Sequence, residues 1–181
     1  MFRDLLLSHI SGFCDLSASQ LNQLEAHFEL MVRWNKTLNL TRIDSVEAAV
    51  ERHYTESLFL ASKLPAGPLK IADVGAGAGF PGIPLAVLRP ECSITLIESH
   101  KRKAVFLKEA TRSLSNVTVT ARRAEEVFQT FDWIVSRAVS WDDLQKFALH
   151  LAPNLALLCT KPPVRAKTVL DVSRGTFLVL A

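Results

Sequence analysis

Four of the chain's seven glycines, Gly75, Gly77, Gly79 and Gly82, fall within the string Ile71-Ala-Asp-Val-Gly-Ala-Gly-Ala-Gly-Phe-Pro-Gly82, directly after an apolar run. Stripping Cβ atoms from one spot lets a backbone turn sharply from a strand into a helix while a ligand approaches main-chain N–H groups that a side chain would screen. The loop is therefore predicted to cradle a cofactor or a phosphate. Asp73, two residues before Gly75, bears on which of the two it holds.

Around this loop the chain divides near Pro65-Ala-Gly-Pro68. Before it, Leu21, Leu24, Phe28, Met31, Val32 and Leu38 recur at helical spacing behind Ser17 or Ser19 as N-cap, and a second amphipathic helix is predicted from Ser45 to about Lys63. Trp34 reads as a core residue of the first helix or as a base-stacking platform. Residues 1–65 are thus expected to be a helical N-terminal subdomain. After the Pro/Gly punctuation, short apolar runs at 69–74, 93–97, 117–120, 131–135 and 155–160 alternate with helical patterns at 81–88, 100–113, 124–129 and 141–151. Such alternation predicts βαβ units and a doubly wound, mostly parallel sheet over residues 66–181, with Thr176 to Leu180 as one further, antiparallel strand near an edge.

With 181 residues, 49% apolar and 22% charged, the chain can bury a full core. No apolar stretch approaches the roughly 20 residues of a membrane span, and Asp4 interrupts the N-terminus where a signal peptide needs its apolar core, so a cytoplasmic protein is expected. Cys14, Cys92 and Cys159 are scattered and outside any CxxC pattern; they read as buried thiols, with no metal site. Net charge is +3 but uneven, −2 over residues 1–68 and +5 over the remainder. The basic concentrations are His100-Lys101-Arg102-Lys103, Arg122-Arg123 and Arg165 with Lys167, which suit either solvated helix faces or contacts to nucleic-acid phosphates.

In open α/β sheets, ligands bind at the carboxyl ends of the strands, where this reading places Asp73, Glu98, Arg122 with Arg123, Arg137 and Lys161. Glu98, 23 residues after Gly75, suits the ribose hydroxyls of a dinucleotide or of S-adenosylmethionine. The string Gly77-Ala-Gly79-Phe-Pro-Gly82 satisfies GxGxxG and by pattern alone points to a dinucleotide. Charge argues the other way: Asp73 would repel a pyrophosphate, whereas it can attract the ammonium of S-adenosylmethionine, directly or through water. Asp73 can also simply cap the glycine turn through backbone N–H groups, with the same ligand in place. Walker-type phosphate binding is excluded, because no Gly-Lys-Ser/Thr follows.

Beyond the glycine loop, the chain carries Trp34-Asn35-Lys36-Thr-Leu-Asn39-Leu40-Thr41, Arg52-His53-Tyr-Thr-Glu56-Ser57, Gly79-Phe80-Pro81-Gly82-Ile-Pro84, Glu98-Ser99 with Arg102-Lys103, Arg123-Ala124-Glu125-Glu126 and Ser136-Arg137-Ala138-Val139. In that order these strings resemble the bacterial small-subunit ribosomal RNA methyltransferase G family, also called glucose-inhibited division protein B, within the class I methyltransferases. The resemblance runs from about residue 20 to Lys161 and implies a Rossmann-like fold. It also implies S-adenosylmethionine-dependent methylation of ring nitrogen 7 of one guanine in the decoding-region loop of 16S rRNA. Carried over by position, Gly75 and Phe80 line the methionine and sulfonium end of the cofactor, Glu98 holds the ribose, Ala124 and Glu125 flank the adenine, Arg137 is the family's binding arginine, and Asp73 and Gly77 complete the expected cofactor-binding set. Without the resemblance, Phe80 reads as core, Arg137 as a solvated or ion-paired side chain, and Glu125 as a first-turn acid.

Ring nitrogen 7 has an in-plane lone pair and no proton to lose, so its methylation needs positioning and desolvation more than a base. No catalytic base is evident; Asn39, His53 and Arg137 are the candidates near the chemistry, and His53 reads equally as a hydrogen-bonded structural residue. Lys36, Arg52, Lys101, Arg102, Lys103, Arg123 and Lys161 are candidates for RNA contact. The expected partner is 16S rRNA or the 30S particle, and a monomer is expected. One departure stands out. Pro162 follows Lys161 where the family usually has a glycine, and about 20 residues remain where it has some tens, so the part that completes the sheet and one wall of the cleft is expected to be shortened. The alternative to rRNA methylation is therefore transfer to another substrate, or cofactor binding without turnover.

Overall fold

The computed structural model describes the chain apart from Asp44, Ala138, Val164, Arg165, Lys167, Arg174 and the side chain of Leu149. Arg165 and Lys167 of the basic concentrations, and Ala138 of the string at 136–139, thus lie outside the described residues. The first helices are α1 (Phe2–Ile10) and α2 (Ala18–Leu38). Ser17 opens α2 through a capping box: its hydroxyl accepts from Gln20 N–H, and the Gln20 side chain accepts from Ser17 N–H at 2.8 Å. Asn39 ends α2 in the left-handed region, at φ 47°, a conformation asparagine tolerates better than most residues. The helix expected from Ser45 to Lys63 forms, but not as one α-helix: α3 (Val46–Ala49) passes into a π-helical segment (Val50–Thr55) and then into α4 (Glu56–Lys63). The widened turns carry Arg52, His53 and Tyr54, and such π segments recur at functional sites.

The remainder builds a seven-stranded sheet of β1 (Lys70–Val74), β2 (Ser93–Ile97), β3 (Val117–Thr120), β4 (Trp133–Ser136), β5 (Asn154–Cys159), β6 (Thr168–Ser173) and β7 (Thr176–Leu180) in the order β3-β2-β1-β4-β5-β7-β6. The first five are mutually parallel, and β7 runs antiparallel between β5 and β6. This is the doubly wound, Rossmann-like arrangement of class I methyltransferases. Strand β6, absent from the sequence reading, pairs along β7, so the short C-terminal part still completes a seven-stranded sheet. Two predicted helices are also smaller than expected. Residues 124–129 give only a 3₁₀ turn at Ala124–Glu126, and residues 141–151 give α7 (Trp141–Gln145) and α8 (Ala148–Leu151), separated by a break.

Strand residues alternate between two apolar clusters, as a period of two requires. Ile71, Ile94, Val135, Ala156 and Leu178 join α1, α2, α4, α5 (Gly82–Leu88) and α6 (Lys101–Ala110) on one face, so residues 1–65 share the sheet's own core. Ala72, Ile134, Leu155 and Val179 join Leu144, Phe147 and Leu151 on the other. Each fully buried Ile or Leu contributes about 1.5–3 kcal/mol. Trp34 packs edge-on against Phe106, with centroids 5.8 Å apart. Of the three cysteines only Cys92 is buried; Cys14 and Cys159 are partly exposed, a correction to the expectation of three buried thiols. Among the described residues no helix is long and apolar enough to cross a membrane.

Candidate functional site

The glycine loop connects β1 to α5 at the carboxyl edge of the sheet. Gly75, Gly77 and Gly79 all have positive φ, and a Cβ on Gly75 would lie 2.9 Å from Val139 Cγ2. Gly75 N–H donates to Ile97 C=O at 2.9 Å, and Gly77 N–H to Glu98 Oε2 at 2.9 Å, which locks the loop onto the end of β2. Glu98 Oε1 accepts from His100 N–H at 2.7 Å, so this one buried carboxylate joins the loop to the start of α6.

Beside the loop opens a cleft of ≈410 Å³, lined among others by Gly75, Ile97, Ser99, Arg123, Ala124 and Glu125. Gly75, Ala124 and Glu125, from the implied cofactor set, thus converge with Arg123 on one cavity, with Glu98 between the two lining residues Ile97 and Ser99.

Asp73 does not face this cleft. Strand alternation turns it toward α5, where it is fully buried and Oδ2 accepts from Gly82 N–H at 2.8 Å. It therefore caps the first turn of α5, and a Cβ on Gly82 would approach Oδ2 to 2.6 Å. Oδ1 is buried without a partner among the described residues. Burial raises the carboxyl pKa to about 7, with the Gly82 bond opposing and Glu98 adding to the rise.

Phe80 leads away from the cleft into a polar network that joins both ends of the chain. Its ring stacks on His53, with centroids 4.4 Å apart. Arg137 Nη1 lies 2.6 Å from His53 Nδ1, and His53 Nε2 lies 2.8 Å from Thr41 Oγ1. Arginine can only donate, so Nδ1 is the acceptor and the ring proton sits on Nε2, donated to Thr41. Arg137 Nη2 stands 2.9 Å from Oε2 of the fully buried Glu56, an ion pair without the alignment of a hydrogen bond. Glu56 Oε1 accepts from Ser173 Oγ on β6 at 2.6 Å. Burial first, and the Arg137 charge second, lower the His53 pKa to about 3, so the ring is neutral at neutral pH. With Nδ1 already accepting and Nε2 already donating, His53 has no free lone pair for proton abstraction.

A second buried histidine escaped the sequence reading. His27, on α2, lies with Nε2 2.9 Å from Ala78 C=O in the glycine loop and Nδ1 2.9 Å from Tyr54 OH. A carbonyl only accepts, so Nε2 donates to Ala78 and the Tyr54 hydroxyl donates to Nδ1. Burial lowers the His27 pKa to about 4. His27 occupies an apolar stripe position at helical spacing, which by itself signals core. Thr41, Glu56 and Ser173 likewise carry no local sign of their partners.

The other candidates lie apart from this network. Lys36, Asn39, Arg52, Lys101, Arg102, Arg123 and Lys161 are exposed, and Lys103 is partly buried. Asn39 is held by its role as the α2 C-cap, and Asn35, its neighbour in the same string, accepts from Thr41 N–H at 2.9 Å.

A family model described as rRNA small subunit methyltransferase G matches residues 20–169. Proteins named ribosomal RNA small subunit methyltransferase G are 42% identical over 152 residues in Halorhodospira halophila, 41% over 140 in Nitrosomonas europaea and 37% over 151 in Lactococcus lactis. These matches cover 81, 74 and 77% of this chain and 72, 64 and 63% of the relatives, so the chain spans about two thirds of their length. Among solved structures, a SAM-dependent methyltransferase from Aquifex aeolicus superposes with a TM-score of 0.60 at 16% identity, covering 78% of this chain and 95% of that one. A SAM-dependent O-methyltransferase from Thermotoga maritima gives 0.58 at 15% identity, covering 83% and 69%. At such identities the likeness is one of fold.

Proposed function

Since this chain belongs to the rRNA small subunit methyltransferase G family, we propose that it transfers a methyl group from S-adenosylmethionine to ring nitrogen 7 of a guanine in the decoding-region loop of 16S rRNA. The observation that carries this reading is the convergence of Gly75, Ala124 and Glu125 on the cleft beside a loop in which a Cβ at Gly75 would crowd Val139 at 2.9 Å. The residues suit the donor. Glu98 sets a carboxylate beside the cleft, suited to ribose hydroxyls, while Asp73 braces the loop from beneath as the cap of α5. When bound, S-adenosylmethionine supplies an electrophilic methyl group on a sulfonium.

Gly75, Gly77 and Phe80 would hold its methionine end, Glu98 the ribose, and Ala124 with Glu125 the adenine. Arg137, fixed by His53 and Glu56, would offer its positive charge to an anionic group of donor or substrate. The chain's remaining contribution is positional. Ring nitrogen 7 brings its own lone pair, which agrees with a His53 whose two nitrogens are already committed. The proposed partner is 16S rRNA, free or within the 30S particle, met by a monomer in the cytoplasm. Incubation of the purified protein with radiolabelled S-adenosylmethionine and 30S subunits or rRNA lacking the modification tests this directly. Label in 7-methylguanosine is expected, and tight donor binding without transfer to either RNA form would sink the reading.

A further inference from the structure

Helix α6 starts two residues beyond Ser99 on the cleft wall, and its exposed side is basic in a way that helix energetics oppose. Lys101, Arg102 and Lys103 occupy its first turn, where the helix dipole favours acids, and the first turn contains no acid. Lys101, Val105 and Lys108 follow at i, i+4 and i+7, which places them on one stripe, Arg112 lies in the turn just past the helix's end, and all four are exposed. Lys101 and Lys108 stand about 10 Å apart along the axis at the usual 1.5 Å rise per residue. Glu109 is the one acid on α6. Among the described residues, none of Lys101, Arg102, Lys108 and Arg112 is in an ion pair. Beside the stripe, a shallow groove between α6 and α2 is lined by Arg33, Trp34, Thr37 and Glu109.

We propose that the exposed face of α6, with Arg33 of α2 at its margin, is the surface along which the RNA strand flanking the target base runs toward the cleft. This inference rests on the rRNA reading above and specifies which face of the protein the polymer follows. The physical case is charge. Cations stacked on one stripe and crowded at the positive end of a helix repel one another in the free protein, and a row of phosphates relieves that repulsion by displacing the ions that otherwise screen it. Val105 adds apolar contact in mid-stripe, and the groove at Trp34 offers an aromatic edge beside the backbone path. The stripe ends at the cleft, so a strand held there delivers its next nucleotides to the cofactor loop.

The test uses the full-length Lys108→Gln/Arg112→Gln variant, with Lys70→Gln as control. Lys70 is exposed at the amino end of β1, on the edge opposite the cleft. Binding of 16S rRNA is followed against salt, and methylation of unmodified 30S subunits against substrate concentration. The double variant is expected to raise KM for the RNA about tenfold and to flatten the slope of log affinity against log salt by about 0.7–0.9 per lost cation, with affinity for S-adenosylmethionine unchanged. Unchanged KM and slope in the double variant would overturn the proposal, and so would an equal effect from Lys70→Gln, which would reduce the matter to net charge. Wild-type protein that binds rRNA with the predicted sensitivity but never methylates it would remove the functional reading and leave the surface standing.

Discussion

Arg137 Nη1 donates to His53 Nδ1 across 2.6 Å, although the two residues lie 84 positions apart. The same guanidinium pairs with the fully buried Glu56, whose other oxygen is held by Ser173. Removing Arg137 leaves a carboxylate buried without compensation, a change that costs about 3–5 kcal/mol. Arg137→Ala is therefore expected to be strongly destabilised in denaturant unfolding, and Arg137→Ala/Glu56→Gln to recover part of the loss. Additivity of the two single changes within about 0.5 kcal/mol would show that the pair does not interact.

His27 connects the helical layer to the cofactor loop through Ala78 C=O, so its loss reaches the ligand as well as the core. His27→Leu leaves that carbonyl and the Tyr54 hydroxyl without their partner, each worth about 1–3 kcal/mol when buried. Affinity for S-adenosylmethionine, measured calorimetrically on folded protein, should fall about tenfold for each 1.4 kcal/mol that reaches the loop. His27→Gln retains one donor and one acceptor and should restore most of the affinity. A leucine variant that melts earlier yet binds as tightly would confine His27 to packing.

Gly75→Ala combines backbone and steric costs. The left-handed region penalises a Cβ by about 1–2 kcal/mol, and here the added methyl also meets Val139 Cγ2 at 2.9 Å. Donor affinity is expected to drop by more than tenfold, with a fall of a few degrees in Tm. Wild-type affinity in Gly75→Ala would show that the loop can shift without consequence.

Asp73 gives the pH dependence. Its folded pKa, raised to about 7 against an ordinary value of 3.8, means that the folded state holds an extra proton between these values. The stabilisation this provides is fully present below pH 3.8 and is lost progressively as pH rises to about 7, so the ligand-free protein should lose stability from this group between about pH 4 and 7 and show no further change from it above. Asp73→Asn should abolish this trend when Tm is followed against pH; its persistence in that variant would assign it to another group.

The buried histidines act with the opposite sign. His27 and His53, lowered to about 4 and about 3, leave the unfolded state with the extra protons as pH falls below 6.5. Stability from these two sites is flat above pH 6.5 and declines on acidification. His27→Gln should flatten the Tm profile between pH 6.5 and 4.5, and an unaltered profile would mean that His27 is protonated in the folded protein.

What the sequence alone determined about this protein is what short-range chemistry encodes. The glycine loop needs positive φ at neighbouring positions, the Ser17–Gln20 capping box closes within three residues, and the apolar period of two assigns strand faces before any strand is paired. The family strings identified the cofactor for the same reason, because donor-site residues cluster within single loops. Tertiary structure alone decided the rest. Strand β6 has mostly exposed or half-buried residues and no apolar alternation, so only its ladder to β7 makes it a strand. Asp73 reads from sequence as a ligand contact or a turn cap, and only its position on the α5 side of β1 shows a buried cap with one oxygen unpartnered. The joining of Thr41, His53, Arg137, Glu56 and Ser173 has no periodicity to announce it. Hydrogen bonds between residues 84 and 117 positions apart exist because the sheet topology brings the π-helical turn, the end of β4 and the end of β6 to one place, where burial makes an unpaired polar group too costly to leave.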